Sequence, residues 1–279
     1  MKKSLLTIIL ILLSLTIVAQ ENWETYLVKK EKGLMTISVN MDLNLNKPNY
    51  KNLLIVGTST KKCLKNGYPD TEGLEELYVF SDSIAFAIEK VAKSRLAGII
   101  TYQCAGFDVF YVKDTIGLRA SIDQTINNNF SQTKNYNVIA RDKNWDYYQE
   151  SLYPKDLSED FFMNQDFLRQ LVEEGDELSE PQILKHWIYF NNANNRSKFI
   201  DEVKNLNFTI DSVNYKKDKK FLVGQNTLYY NYAKTRAYPF EVKISRKDSI
   251  GPAPISKLTH LIQVAATGFK GIYDGWGFE

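Results

Sequence analysis

At 279 residues, the chain is long enough to form two domains of ordinary size. Its composition, 44% hydrophobic and 24% charged, excludes a disordered or fibrous protein. The formal net charge is only +2, from 35 basic and 33 acidic residues, which argues against a dedicated nucleic-acid binder because such proteins normally present a basic face.

The first twenty residues, MKKSLLTIILILLSLTIVAQ, have the pattern of a secretory signal peptide. Lys2 and Lys3 precede an apolar run from Leu5 to Val18, and a polar sequence follows Ala19. The run is shorter than the roughly 20 residues of a membrane-spanning helix, so we expect cleavage and export to the periplasm or outside the cell. Without Lys2 and Lys3, 35 − 2 = 33 basic residues face 33 acidic ones, and the mature chain is formally neutral.

The first half of the mature chain predicts an antiparallel sheet with two helices. Alternation of apolar and polar residues predicts strands, and the longer periodic segments predict helices. The predicted strands are ETYLV, LMTISVNMDLNL, NLLIVGTS, LAGIITYQCAG, FDVFYVKD and YNVIARD. One helix is predicted over residues 71–94, with Ser-Asp-Ser at 81–83 as a candidate break, and a second from Gly117 to Phe130. A tight turn is predicted at Ala105 and Gly106.

The sequence changes character near residues 153–158. Beyond this point the apolar positions follow a single helical stripe that ends near Gly175, which predicts a helix connecting two domains. We therefore place a signal peptide at 1–20, a first domain at 21–154, a connecting helix at 155–180 and a second domain at 181–279. The stripe consists of Phe162, Phe167, Leu168, Leu171 and Val172.

The second half reads strand, helix, strand, strand, helix, strand. This order is the split βαβ plan of a ferredoxin-like sandwich. The predicted fold is therefore α+β, with two α/β-sandwich domains, mainly antiparallel sheets and a ferredoxin-like (βαββαβ) C-terminal domain. In order, the segments are ILKHWIYF, a helix over 196–206, FTIDSVNY, YPFEVKISRKD, PAPISKLTHLIQVAATGF and KGIYDGWGF.

Two stretches of the second half, KHWIYF and GIYDGWG, resemble the family of regulator of ribonuclease E activity B over roughly residues 160–279. The first half resembles domain of unknown function 695, through WETYLV, LAGIITYQCAGFDVFYV and RDKNWDYYQESLYP. The regulator resemblance implies a non-catalytic protein that binds an endoribonuclease and restrains it. That enzyme is cytoplasmic and its regulators are acidic, whereas this chain carries an export signal and is neutral. The resemblance therefore implies a protein partner rather than that particular enzyme.

His186 is the candidate for acid–base chemistry, because a histidine titrates near neutral pH and Asp274 is expected on the neighbouring strand. The alternative is a structural His186–Asp274 hydrogen bond, which we favour because no nucleophile accompanies the pair. Tyr273 and Trp276 are three residues apart and share a strand face only if the chain bulges between them. We predict that bulge at Asp274-Gly275, with Gly275 in the left-handed region.

Two further groups bear on binding. The stretch LYYNYAKTRAYPF suits recognition of a protein, a peptide or a sugar, although a hairpin of alternating aromatic residues is the alternative. With two His, two Cys, no HExxH and no CxxC, the sequence predicts neither a metal nor a cofactor. Export would permit a disulfide between Cys63 and Cys104, and the sequence leaves open whether they pair.

Together, these features predict an exported, non-catalytic protein-binding or regulatory module. The expected partner is another protein, with no nucleic acid and with membrane contact only during export. The alternatives are an envelope enzyme with a site between the two domains and a ribonuclease-inhibitor-like regulator. No catalytic residue is predicted; the predicted binding residues are His186, Trp187, Tyr229, Tyr230, Tyr232, Tyr273, Asp274 and Trp276.

Overall fold

The computed structural model describes residues 21–44, 49–215 and 238–278. The predicted signal peptide lies outside these residues. So do Tyr229, Tyr230 and Tyr232 of the tyrosine-rich stretch.

The first half forms a six-stranded antiparallel sheet in the order β1-β2-β4-β5-β3-β6. Helices α1 (Thr71–Glu89) and α2 (Leu118–Asn129) cover one face. A 3-10 helix (Met41–Asn44) and a π-helix (Tyr148–Leu152) supply residues to the core on the other face. The strands are β1 (Trp23–Lys30), β2 (Gly33–Asn40), β3 (Asn52–Ser59), β4 (Ser94–Tyr102), β5 (Ala105–Val112) and β6 (Asn135–Arg141).

Strand β2 shows how the sequence separates the two faces. Successive side chains of a strand point to opposite sides. Ile37 and Val39 enter the core under the π-helix, whereas Thr36 and Ser38 lie on the face that carries α1. The polar side of the alternation therefore lies on the face of the sheet that carries the α-helices.

Two local predictions in this half are wrong. Helix α1 continues without a break through residues 81–83, where the Ser83 hydroxyl donates to the Val79 carbonyl at 2.7 Å and so stays within the helix. The β4–β5 turn lies at Gln103 and Cys104, not at Ala105 and Gly106. Both turn residues have positive φ, 49° and 59°, as a type I′ hairpin turn requires, and Ala105 already begins β5.

The conformation of the RDKNWDYY stretch is stabilised by the carboxylate of Asp142. Asp142 accepts hydrogen bonds from the Tyr111 hydroxyl at 2.6 Å and from the backbone N–H groups of Asp146 and Tyr147 at 2.8 and 3.0 Å. The Trp145 ring stacks on Tyr111 with centroids 3.8 Å apart. The carboxylate thus caps the turn that leads into the π-helix, which is a structural role.

The second half is ferredoxin-like, as the element order predicts. Its four-stranded antiparallel sheet has the order β10-β7-β9-β8, so the last strand lies beside the first. Helices α4 and α5 share its apolar core. The elements are β7 (Gln182–Phe190), α4 (Ala193–Asn205), β8 (Thr209–Tyr215), β9 (Phe240–Asp248), α5 (Pro252–Gly268) and β10 (Gly271–Gly277).

Helix α3 (Glu159–Glu173) contacts both halves through two adjacent, buried side chains. The Asn164 amide accepts from the Trp276 indole N–H at 2.7 Å and donates to the Thr259 hydroxyl at 3.0 Å, both in the second half. The next residue, Gln165, accepts from the Leu27 backbone N–H of β1 at 2.9 Å. Strand β1 lies at the edge of its sheet, where backbone N–H groups lack a neighbouring strand, so this bond gives the Leu27 N–H an acceptor.

Candidate functional site

His186 lies in the core of the second half with none of its side chain exposed. Its Nδ1 is 2.9 Å from the Tyr273 hydroxyl, and its ring meets Phe208 edge to face. Burial, with a smaller effect from the Arg246 charge, lowers the pKa of His186 to about 3. The ring is therefore neutral near pH 7, which suits a structural role better than proton transfer.

The predicted His186–Asp274 hydrogen bond is wrong, because Tyr273 takes the Nδ1 position and Nε2 has no hydrogen-bond partner in the part of the chain that the structure describes. The bulge predicted for this strand explains why Tyr273, rather than Asp274, bonds His186. Tyr273 pairs with Ile188 and Trp276 pairs with His186, so the register shifts between them, and Gly275 has φ +108°. The predicted bulge is confirmed, and it places Tyr273 and Trp276 against the same core.

Burial separates the predicted binding residues into two groups. His186 and Trp276, 0% and 7% exposed, are core residues that a partner would not touch in this conformation. Trp187 and Asp274 are half-buried, and the Lys243 ammonium lies 5.4 Å from the Trp187 ring centroid. Among the predicted residues that the structure describes, Trp187, Tyr273 and Asp274 have exposed surface, and their binding role stays a prediction.

Cys63 and Cys104 form a disulfide, with Cα atoms 5.9 Å apart. The bond fastens the loop before α1 to the β4–β5 turn. In the same loop, the Asn66 amide donates to the carbonyls of Val172 and Asp176 at 2.7 and 3.0 Å, at the C-terminal end of α3. The disulfide therefore supports a loop that holds α3 against the first half.

A cleft of about 220 Å³ lies on the sheet of the first half, between α1 and α3. Helix α1 packs over β3 and β5, and α3 packs over β1, so on this face β2 and β4 lie between the two helices in the described structure. Adjacent strands are about 4.8 Å apart, which makes the gap wide enough for a small molecule. The floor carries Thr25, Thr36, Ser38, Thr101 and Asp108.

The floor residues are aligned by strand register. Thr25 pairs with Ser38, Ser38 with Ile99, and Ile99 with Asp108, which forms one row across four strands. The hydroxyls of Thr25 and Ser38 are 2.9 Å apart and bond each other. The row thus leads from Thr25 and Ser38 on the α3 side of the cleft, across the apolar Ile99, to Asp108 beside α1.

Asp108 is 4% exposed, and its Oδ2 has no hydrogen-bond partner among the described residues. Burial raises the pKa of its carboxyl to about 6; the Ser81 hydroxyl opposes this shift by hydrogen bonding, and the Asp82 charge adds to it. The sequence reading did not select Asp108. The available signal was an acid in register with Phe110 and Val112, which belong to the apolar core under α1.

The opposite wall carries Arg169 and Glu173 of α3. Arg169 NH1 donates to Glu173 Oε1 at 2.8 Å, and its NH2 is 3.6 Å from Asp166. Its Nε is buried and lacks an acceptor within the described residues. The cleft therefore presents a carboxylate from the first half and a guanidinium from the connecting helix.

The described residues contain no group of three or more His, Cys, Asp or Glu side chains able to hold a metal ion. Within the same residues, every helix is too short or too polar to cross a bilayer.

Comparison with protein families matches each half separately. Residues 162–278 match the family described as Regulator of ribonuclease activity B. The second half resembles that family, as its sequence predicts. The first half matches, over residues 21–153, the Family of unknown function (DUF695). We refer to these segments as the regulator half and the DUF695 half. The regulator match begins inside α3, whereas the predicted domain limits of 154 and 180 stay predictions.

Comparison with solved structures adds no argument. A protein described as a glycine cleavage system transcriptional repressor shares 9% identity, with 83% of this chain and 100% of that chain covered, at a TM-score of 0.21. A protein from Galdieria sulphuraria, described as unknown, shares 8% identity, with 81% and 96% covered, at a TM-score of 0.20. The search of curated proteins found no match.

Proposed function

We propose that the chain is an exported, non-catalytic regulatory protein whose regulator half binds another protein. The family match over residues 162–278 carries the proposal, because regulators of that family bind a protein partner, RNase E. The geometry of the same half supports it. Its buried histidine is neutral and bonded to Tyr273, an arrangement that holds a sheet together rather than one that moves protons.

The half-buried Trp187 is the first residue to test on the partner-binding surface, because tryptophan is enriched among the residues that dominate binding energy. Tagged mature protein would be used to capture partners from envelope and culture fractions, with wild type compared with Trp187→Ala. Trp23→Ala is the matched control, because Trp23 is also half-buried but lies in the DUF695 half.

The proposal expects one stoichiometric partner that is retained by Trp23→Ala and lost or weakened at least tenfold by Trp187→Ala. Each variant must keep the wild-type circular dichroism spectrum. Equal loss in both variants, or no partner with abundant folded protein, contradicts the proposed surface.

Export is a separate element of the proposal. It rests on the pattern of residues 1–20, and the disulfide between Cys63 and Cys104 is compatible with an oxidising compartment. Fractionation followed by N-terminal sequencing is the test. The expected result is a mature N-terminus near Gln20 in the periplasm or the medium, whereas an uncleaved chain in the cytoplasm would contradict export.

A further inference from the structure

Two side chains that line the cleft between α1 and α3 each carry a buried polar atom, and the two atoms are of opposite character. Asp108 Oδ2 is an acceptor and Arg169 Nε is a donor, and neither has a partner in the described part of the chain. Buried polar groups in native proteins almost always have a hydrogen-bond partner, since an unmade bond leaves the desolvation of the group uncompensated. Both side chains line the cleft, so each unpartnered atom belongs to a residue that borders open space.

The size of the cleft limits what fills it. About 220 Å³ is several times the volume that a single water needs, and it suits an organic molecule of modest size. On the floor, the hydroxyls of Thr25 and Ser38 form a hydrogen bond with each other. The polar atoms that lack a hydrogen-bond partner therefore belong to Asp108 at one end of the cleft and Arg169 at the other. Leu77 and Tyr78 of α1 add apolar and aromatic surface for the body of a ligand.

The charges around the cleft indicate the ligand class. The acids Asp108, Glu173 and Asp166 lie on or beside its walls, and Arg169 is the one basic group among the described lining residues. Because these acids outnumber Arg169, a ligand that carries only a negative charge would be repelled, although Arg169 Nε can still donate a hydrogen bond. A ligand with only a cationic group would leave Arg169 Nε unbonded.

We propose that the cleft binds a small zwitterion of the amino-acid class, with its ammonium group on Asp108 and its carboxylate on Arg169. Hydrogen bonds between charged groups are roughly twice as strong as neutral ones, which favours a zwitterion over a sugar or another polyol. The ligand connects β5 of the DUF695 half to α3, whose Asn164 and Phe167 pack in the second half. Binding therefore fastens the connecting helix to the first half.

The test uses the full mature chain and a panel of the L-amino acids, first by thermal shift and then by calorimetry. Each binding amino acid is compared with its N-acetyl and amide derivatives, which remove one charge at a time. Glucose and glycerol serve as neutral hydroxylated probes, and putrescine serves as a cation without a carboxylate. At saturation, we expect at least one amino acid to raise Tm by roughly 5 °C and both derivatives to bind at least tenfold more weakly.

Three variants locate the site. Asp108→Asn should weaken binding at least tenfold, because it removes the charged acceptor. Arg169→Lys, which keeps the charge but lacks Nε, should weaken binding by a smaller factor. Asp82→Asn is the matched control, because Asp82 is an exposed carboxylate on α1 beside Ser81, and it should change affinity twofold or less.

Each result decides the proposal. A Tm shift with an amino acid that disappears in Asp108→Asn but not in Asp82→Asn supports it. Binding of glucose or glycerol in place of amino acids overturns the ligand class, and a shift insensitive to Asp108→Asn overturns the site. No shift with any probe, from a chain whose folding is confirmed by a cooperative melt, overturns both.

Discussion

His186 in the regulator half and Asp108 in the DUF695 half have the same burial but different surroundings. They are 0% and 4% exposed, and each has one polar atom without a partner among the described residues. The ring of His186 is enclosed by Tyr273 and Phe208 in a packed core. Asp108 instead borders a cleft of about 220 Å³.

The comparison shows that burial and an unmet hydrogen bond do not by themselves identify a functional group. In the regulator half, Tyr273 and Phe208 pack against His186, so the histidine contributes to the fold. In the DUF695 half, Asp108 lines a cleft, so its unmade hydrogen bond is available to a ligand. The cleft lined by Asp108 is the feature on which its assignment as a binding residue rests.

The largest expected effect is on the regulator core. Trp276→Ala should lower the free energy of unfolding by about 4 kcal/mol, because it removes a buried indole and leaves Asn164 without its donor. Urea unfolding followed by circular dichroism measures this. The half-buried Trp187 is the control, and Trp187→Ala should cost about 1 kcal/mol. Equal losses in the two variants would mean that Trp276 is not a core residue.

The disulfide tests the DUF695 half. Replacing Cys63 and Cys104 together by serine should lower the free energy of unfolding by roughly 3 kcal/mol, because the bond closes a long loop, with a sequence separation of 41, in the unfolded chain. Reductant should destabilise the wild type similarly and leave the double variant unchanged. An equal response of both proteins to reductant would show that the cysteines are not paired in solution.

The ionised Asp108 carboxylate should lower the free energy of unfolding, whereas Trp276 and the Cys63–Cys104 disulfide raise it. Its folded-state pKa of about 6 exceeds the ordinary value of 3.8, so stability is greatest below the ordinary value and falls as pH rises through the folded one. Asp108→Asn should therefore raise the free energy of unfolding by about 2 kcal/mol at about pH 8 and flatten its pH dependence. The exposed control Asp82→Asn should change both by much less, because the Asp82 charge contributes less to the pKa of Asp108 than burial does. A destabilised Asp108→Asn at that pH would contradict the burial assigned to the carboxylate.

The smallest expected effect concerns the bulge in β10. Gly275 has φ +108°, and a Cβ added there would meet no heavy atom of the described residues within 4 Å, so Gly275→Ala should cost only backbone strain, about 1 kcal/mol. Gly268 near the end of α5 also has open space, but it lacks a positive φ. Gly268→Ala should therefore be neutral or slightly stabilising in the same thermal melt, and a matching loss there would exclude backbone strain as the cause.

Much of the regulator half was predictable because its signals are local. The periods of two and 3.6 residues predict its strands and helices, and the three-residue spacing of Tyr273 and Trp276 predicts the bulge. The partner of His186 was not predictable. The bulge decides whether Tyr273 or Asp274 reaches the ring, and that is a matter of a few ångströms in three dimensions.

The cleft was harder to predict because its walls are distant in sequence. Asp108 and Arg169 line the same cleft because α3 packs over β1, and that packing joins segments far apart in the sequence. FDVFYV predicts a strand correctly but does not indicate which residue will face open space. An acid on the apolar side of such a strand is the one feature that could have directed attention to Asp108.

The most direct test of the difference between the two buried groups is an NMR pH titration of the mature protein with Asp108 carboxyl and His186 ring signals assigned. We predict that Asp108 titrates near pH 6, above its ordinary value, and that His186 stays neutral down to about pH 3. A His186 that titrates between about pH 6 and 7, or an Asp108 that titrates near 4, would contradict the account.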